Sequence, residues 1–174
     1  LNSGYCDAEA ASLPPLVDRS NAGVTAWAAG LVGRMTSEEK MRLVKGLGWT
    51  DSMQQLEGWY VGNILAVPRL GIPSLQMQDS SQGFRTTEQA IVGEVTAWPC
   101  ALAVSAIWDV KATRRWAAAM GEEFRAKGAN VVLGPGVNVH RVALNGRNAE
   151  YISGEDPNLG ARQAEAWVRG MQDD

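Results

Sequence analysis

The chain has 174 residues, of which 45% are apolar and 20% are charged, so it can form a sizeable core of ordinary globular composition. Its formal net charge of -3 and the lack of any basic run argue against a nucleic-acid partner. No continuous apolar run is long enough to span a bilayer, which argues against a membrane partner.

Cysteine and histidine usage gives no sign of a metal site, and no cofactor is predicted. His140 is the only histidine, which excludes a multi-histidine metal site within these residues. Cys6 and Cys100 could form one bridge, but nothing in their spacing favours it. The seven tryptophans favour a carbohydrate ligand, because tryptophan on loops commonly stacks against the flat faces of sugar rings.

The start of the chain predicts an irregular lead-in, residues 1–22, followed by two helices. The first residue is Leu and no signal peptide is visible, so the chain is expected to be processed, trimmed or a fragment. Apolar residues at helical spacing predict a helix over 24–35. Thr36 and Glu39 form a capping-box pattern that starts a second short helix, which Gly46 ends.

The middle of the chain predicts two short strands and a polar loop. Residues 63–67 and 75–78 are the strands, and the second runs directly into the polar residues 79–85. A third apolar segment follows at 100–107.

The last third predicts two amphipathic helices around a strand and a long loop. Asp109 is a good N-cap for a helix over 110–127, a strand follows at 130–133, and the final helix covers 158–171. In the first of these helices one side carries Thr113, Trp116, Met120 and Phe124. In the final helix the predicted inner face carries Ala164, Trp167, Val168 and Met171. The alternation of strands and helices predicts an α/β fold with a parallel sheet, and the absence of repeats or linkers predicts one folding unit.

The stretch 131–157 is the strongest candidate for a functional site. Val131 to Leu133 could form one buried strand, Gly134-Pro135-Gly136 breaks it, and a long polar loop runs to Asp156 and Pro157, which predict a helix start. Parallel α/β proteins build their sites on such loops at the carboxyl ends of strands. The alternative is a surface loop whose polar groups satisfy each other.

Three groups of motifs occur in order: GIP at 71–73 with QDSSQGFR at 78–85, GEEFRAKG at 121–128 leading into LGPGVN at 133–138, and NGRNAEY at 145–151 followed by GEDP at 154–157. Together they resemble the N-terminal domain of glycoside hydrolase family 3, the β-glucosidase family, from about Met35 to the end. The resemblance implies a (β/α)8 TIM-type barrel whose pocket holds a terminal glucose. A full barrel needs about 200 to 250 residues, so residues 23–174 would form only about its first half.

The resemblance also implies roles for individual residues. Asp79 would grip sugar hydroxyls, Arg85 would support Asp79, and Arg147 would also reach the sugar; a carboxylate and a guanidinium suit these tasks. An ion pair that only stabilises the loop is the alternative for Asp79 and Arg85. Glu150 is expected to hold Arg147 rather than contact sugar, and His140 is expected to hydrogen-bond within the loop.

The chain departs from the family pattern in two ways. Ser80-Ser81 replaces Gly-Pro after the aspartate, and Ala149 replaces a large aromatic residue. The family's Lys-His pair, its aspartate nucleophile and its acid/base residue would all lie beyond Asp174. The resemblance therefore implies a retaining β-glucosidase that acts on terminal β-D-glucosyl residues, here without its nucleophile and acid/base, so the chain alone is predicted to be inactive.

The expected partners are a β-glucoside or oligosaccharide substrate and the missing C-terminal part of the same protein. Most relatives of this type act outside the cell or in its secretory space, so such a location is expected. A non-catalytic carbohydrate-binding remnant of the same fold is the main alternative. A self-sufficient small enzyme with Asp79 and Glu150 as acid/base pair is a second, less favoured alternative.

Overall fold

The computed structural model describes residues 12–46, 60–85 and 91–172. The chain divides into two compact units, Leu1–Gly58 with Gly62–Gln76 and Trp59–Val61 with Met77–Asp174. The first eleven residues of the predicted lead-in, including Cys6, lie outside the described residues, as does the stretch 47–59.

The first unit contains the two predicted helices. Helix α1, Asn21–Arg34, begins earlier than predicted because the Ser20 hydroxyl accepts a hydrogen bond from the Gly23 amide at 3.1 Å. Helix α2 is Ser37–Lys45, and its predicted capping box is confirmed: the Glu39 amide donates to the Thr36 hydroxyl at 3.2 Å, and the Thr36 amide donates to the Glu39 carboxylate at 2.7 Å.

The predicted strand over 63–67 is shorter in the structure. Strand β1 is Gly62–Ile64, and Val67 leaves it to pair with Ile72 across the 3-10 turn Pro68–Leu70, with N···O distances of 2.9 and 3.2 Å. The turn closes through Gly71, whose φ of 69° is left-handed. The chain thus leaves strand β1 after Ile64, although the apolar sequence predicts a strand up to Val67.

The second unit is built around a parallel pair of strands. Strand β2 is Leu75–Asp79, and strand β3 is Val131–Leu133. Their register pairs Met77 with Val131 and Asp79 with Leu133, which confirms the predicted parallel arrangement for this pair. Strand β3 is not the buried strand that its apolar sequence predicts, because Leu133 at its end is 47% exposed.

Three α-helices lie in the described part of the second unit. The third apolar segment forms the short helix α3, Ala101–Ser105, and helix α4 is Val110–Ala126. Asp109 caps α4 by accepting from the Lys111 amide at 2.8 Å, and the predicted inner face of α4 is buried. Helix α5, Pro157–Gln172, packs along α4.

The inner face of α5 differs in part from the prediction. Trp167 is buried as predicted, but Val168 is 38% exposed, and Gln163 and Gly170 are buried instead. The Thr113 hydroxyl donates to the Gln163 side-chain oxygen, and a Cβ on Gly170 would lie 2.3 Å from the Arg114 carbonyl oxygen. The two helices therefore meet through a buried polar pair and a small residue, which a search for apolar spacing does not find.

None of the helices that the structure describes combines the length and the apolar composition that a bilayer crossing would need. Within the described ranges Cys100 is a free thiol.

Candidate functional site

The first part of the candidate site is the aspartate loop, residues 79–85, at the end of β2. Its first residue, Asp79, is fixed by the register with β3, and its amide donates to the Gln78 side-chain oxygen at 2.9 Å. Arg85 Nη1 donates to Asp79 Oδ2 at 2.9 Å. Both side chains remain substantially exposed, so the pair faces solvent at the carboxyl end of the strand.

The middle of the aspartate loop turns sharply at Gly83. The Gly83 amide donates to the Ser80 carbonyl at 3.2 Å, and the φ of 115° at Gly83 suits only glycine without strain. The turn is thus made at Gly83, three residues after the position where Ser80-Ser81 departs from the family pattern. Phe84 is buried and packs edge-on against Phe124 of α4, with ring centroids 5.2 Å apart.

Ser80 connects the aspartate loop to the end of β3. Its side chain is buried, and its hydroxyl donates to the Leu133 carbonyl at 3.4 Å. A Cβ at Gly134 would lie 2.2 Å from the Ser80 Oγ atom. A glycine at 134 is therefore required for Ser80 to lie this close to the next loop.

The second part of the site is the arginine loop, residues 134–156, which folds back on itself at its base. The Ile152 amide donates to the Gly136 carbonyl at 2.9 Å, and the Ser153 hydroxyl donates to the Val137 carbonyl at 2.8 Å. Asp156 closes the loop by accepting from the amide of Asn158 at 2.8 Å, which confirms the predicted cap of α5.

Arg147 is held at the tip of the arginine loop by Glu150. The Arg147 Nε and Nη2 atoms donate to the two oxygens of Glu150, each at 2.7 Å, in a bidentate pair. Asn148 closes the tip by donating to the Val142 carbonyl at 2.9 Å. The Arg147 side chain is 71% exposed, and its Nη1 group lies outside the pair with Glu150.

The two loops contact each other through Ser81 and Glu150. The Ser81 hydroxyl donates to Glu150 Oε2 at 3.4 Å. The hydrogen bond from Arg147 is the main cause that lowers the pKa of Glu150 below its usual value, and the Ser81 hydroxyl and the charge of Arg85 add to it. Sequence reasoning noted Ser81 only as a departure from a motif, and its contact with Glu150, 69 positions away, leaves no local signal.

Asp79 also acts electrostatically on Arg147. The pKa of Arg147 is raised, chiefly by its hydrogen bond to Glu150 and to a smaller degree by the charge of Asp79. Asp79 stands two residues before Ser81, whose hydroxyl donates to Glu150, and Glu150 in turn holds Arg147, so the two loops lie side by side. The structure thus brings together the four predicted site residues; their binding of sugar stays a prediction.

His140 hydrogen-bonds within the loop through its backbone. Its backbone amide donates to the Gly154 carbonyl, whereas its Nε2 atom is buried and has no hydrogen-bond partner among the described residues. The imidazole instead lies edge-on to Tyr151, with ring centroids 6.3 Å apart. The base of the loop is therefore closed by the backbone of His140.

A hollow of about 220 Å³ lies within the arginine loop, between Asn138 and Tyr151. Its lining includes Arg141 and Asn145 but neither Asp79 nor Arg147, so it is separate from the four-residue surface. Among the residues that the structure describes, no three His, Cys, Asp or Glu side chains are grouped as metal ligands would be.

Comparison with known protein families gives one match that covers most of the chain. The model of the glycosyl hydrolase family 3 N terminal domain matches residues 41–174. The matched range includes both loops of the candidate site.

Two curated relatives illustrate the similarity. The chain is 37% identical over 144 residues to a β-glucosidase of Rhizobium radiobacter, covering 82% of this chain and 16% of the relative. It is 37% identical over 175 residues to a probable β-glucosidase M of Neosartorya fischeri, covering 97% of this chain and 21% of the relative. The chain therefore spans about a fifth or less of the length of these relatives.

Solved structures show the same likeness. The β-glucosidase 3B of Thermotoga neapolitana in complex with α-D-glucose superposes with a TM-score of 0.72 at 33% identity, over 83% of this chain and 21% of that chain. A β-glucosidase of Streptomyces venezuelae in complex with D-glucose gives a TM-score of 0.70 at 36% identity, over 83% of this chain and 17% of that chain.

Proposed function

The chain belongs to glycosyl hydrolase family 3, and from this membership we propose that it is the N-terminal part of a retaining β-glucosidase. The enzyme would remove terminal non-reducing β-D-glucosyl residues. The relatives that carry the name β-glucosidase support this substrate class. In this proposal residues 23–174 supply about the first half of a (β/α)8 barrel, and the location is extracellular or secretory.

The single observation that supports the proposal most is the shared surface of Asp79 and Arg147. Asp79 offers an exposed carboxylate that can accept hydrogen bonds from two neighbouring sugar hydroxyls. Arg147 offers its Nη1 group as a donor from the other loop, while Glu150 fixes its orientation. A hexose ring carries hydroxyls on several sides, so one acceptor and one donor from different loops can hold it in a single orientation.

In this proposal Arg85 and Glu150 are supporting residues. Arg85 donates to one oxygen of Asp79 and orients that carboxylate. Glu150 occupies two donors of Arg147, which limits its rotation. The ion pairs leave Asp79 Oδ1 and Arg147 Nη1 for the sugar.

The reaction itself requires groups from another part of the protein. A retaining glycosidase uses two carboxyl groups roughly 5 Å apart, one as nucleophile and one as acid then base. The family resemblance assigns neither role to a residue of this chain, and the chain spans only 16% to 21% of the two relatives compared above. We therefore place both groups in a further part of the same polypeptide. Asp79 and Arg147 would act by holding the sugar as charge develops at its anomeric carbon.

The test compares the full-length polypeptide with the 174-residue chain, using an aryl β-D-glucoside. We expect turnover by the full-length protein, none by the chain, and a fall in kcat/KM of about 100-fold in Asp79→Asn, because a charged hydrogen-bond acceptor is lost. Glu155→Gln, a carboxylate change at an exposed position of the arginine loop, is the matched control and should keep full activity.

Other results would favour the alternatives. A full-length protein that binds glucose in calorimetry but hydrolyses nothing, with binding lost in Asp79→Ala, would indicate a carbohydrate-binding remnant. Turnover by the 174-residue chain that disappears in Glu150→Gln would indicate a self-sufficient small enzyme.

A further inference from the structure

Glu123 on α4 accepts hydrogen bonds from two donors of the segment that precedes α3. One carboxylate oxygen accepts from the Thr96 backbone amide at 2.8 Å, and the other accepts from the Trp98 indole nitrogen at 2.9 Å. A carboxylate that receives one N–H on each oxygen fixes both donors at once. The segment 96–98 is thereby held against the helix.

Trp98 in turn contacts the middle of the aspartate loop. Its backbone amide donates to the Gln82 carbonyl at 3.2 Å. A Cβ placed on Gly83 would lie 2.5 Å from Trp98 Cδ1 and 2.8 Å from the Thr96 carbonyl oxygen. The residues that Glu123 fixes therefore lie directly against the backbone of the turn between Asp79 and Arg85.

Helix α4 holds the same loop at a second point. Phe124, the residue after Glu123, packs against the buried ring of Phe84. The loop is thus supported at residues 82–83 through Trp98 and at residue 84 through Phe124. Its two ends are Asp79, on the strand, and Arg85, which follows Phe84 directly.

From these contacts we infer that Glu123 and Trp98 are positioning residues for sugar binding by the Asp79–Arg85 pair. This inference rests on the proposed function, since it assumes that Asp79 binds the substrate. Glu123 touches no part of the proposed sugar surface. It acts by fixing Trp98, which sets the path of the turn and thereby the place from which Arg85 reaches Asp79.

The experiment measures kcat and KM of the full-length polypeptide on an aryl β-D-glucoside. Glu123→Gln keeps the size of the side chain but puts an amide nitrogen opposite one of the two N–H donors. We expect KM to rise about tenfold, because the binding pair is displaced while the reacting groups lie elsewhere. Glu122→Gln, at the neighbouring exposed position of α4, is the matched control and should leave KM unchanged.

Trp98→Phe provides an independent variant, because it keeps a large ring but removes the indole donor. It should raise KM to a similar degree. When Trp98→Phe is combined with Glu123→Gln, KM should rise little further, because both substitutions break the hydrogen bond between Glu123 and Trp98. Fully additive effects would contradict the inference.

A purely structural role would give a different pattern. Thr113→Val removes the buried bond between α4 and α5, so it should lower the melting temperature without changing KM. A Glu123→Gln variant with a lower melting temperature and lower kcat, but a KM equal to that of Glu122→Gln, would overturn the positioning role. Absence of turnover in the unaltered full-length protein would instead overturn the proposed function, and this inference with it.

Discussion

The aspartate loop and the arginine loop meet at one surface, yet different parts of the protein hold them. In the aspartate loop Ser80 and Phe84 are buried, and Phe84 packs on the core residue Phe124. In the arginine loop the tip is exposed, and Arg147 is held by Glu150 and neighbouring polar groups. One loop depends on the hydrophobic core, and the other depends on local hydrogen bonds and charge.

This difference teaches where a substitution should act. Burying a large side chain contributes several kcal/mol to folding, whereas an exposed ion pair contributes about 0 to 1 kcal/mol. Substitutions of the buried residues that hold the aspartate loop should therefore change both protein stability and sugar binding. Substitutions at the tip of the arginine loop should change binding and leave stability almost intact.

The largest effect is expected for Phe84→Ala. Removing a buried aromatic ring costs about 3 to 5 kcal/mol of unfolding free energy, and here it also removes the support of Arg85. Urea unfolding of the chain, followed by tryptophan fluorescence, measures the loss. Leu144→Ala, at a residue of the arginine loop that is 96% exposed, is the control and should change stability by less than about 0.5 kcal/mol. A loss below about 1 kcal/mol for Phe84→Ala would show that the core does not hold the aspartate loop.

Arg147→Ala should separate binding from stability. We expect a fall in kcat/KM of about 100-fold in the full-length polypeptide, because a charged donor to the sugar is lost, with a change in unfolding free energy of no more than about 1 kcal/mol. Arg162→Ala, at an exposed position of α5, controls for the loss of a positive charge. An Arg147→Ala variant with a much larger loss of unfolding free energy would contradict the contrast between the two loops. A variant with normal kcat/KM would contradict the role of Arg147 in sugar binding.

The helix caps were predictable from the sequence, because each capping residue and its partner are close along the chain. The capping box of Thr36 and Glu39 and the caps Asp109 and Asp156 follow from residue type and spacing, and all are confirmed. The parallel pairing of β2 and β3 follows from the alternation of strands and helices.

Features that depend on distant packing were not predictable in this way. Val168 is 38% exposed while Gly170 lies against the Arg114 carbonyl of α4, and only the folded pair of helices reveals this arrangement. The bond between Ser81 and Glu150 joins residues that are 69 positions apart. The candidate site was therefore predictable as a set of residues, but its internal contacts depend on how the chain brings the two loops together.

Acid should weaken the arginine loop through Glu150. Because the folded-state pKa of Glu150 lies below its ordinary value of 4.5, its pairing stabilises the fold fully above about pH 4.5 and is lost as the pH falls through the lowered pKa. The difference in stability between the unaltered chain and Glu150→Gln should therefore shrink as the pH falls from about 6 towards 3. Urea unfolding of both proteins at several pH values measures this difference. A difference that grows in acid would contradict the sign of the shift.

The smallest effect is expected for Ser81→Ala, which removes the one side-chain hydrogen bond described between the two loops. At 3.4 Å this bond is long, so its loss should change the unfolding free energy by less than about 0.5 kcal/mol. The pKa of Glu150 should nevertheless rise slightly, because the Ser81 hydroxyl helps to lower it. An NMR titration of the Glu150 side chain measures the change, and Ser80→Ala, whose hydroxyl bonds to Leu133 instead, should leave that pKa unaltered. If Ser80→Ala shifted the titration and Ser81→Ala did not, the two loops would communicate through the end of β3 and not through Glu150.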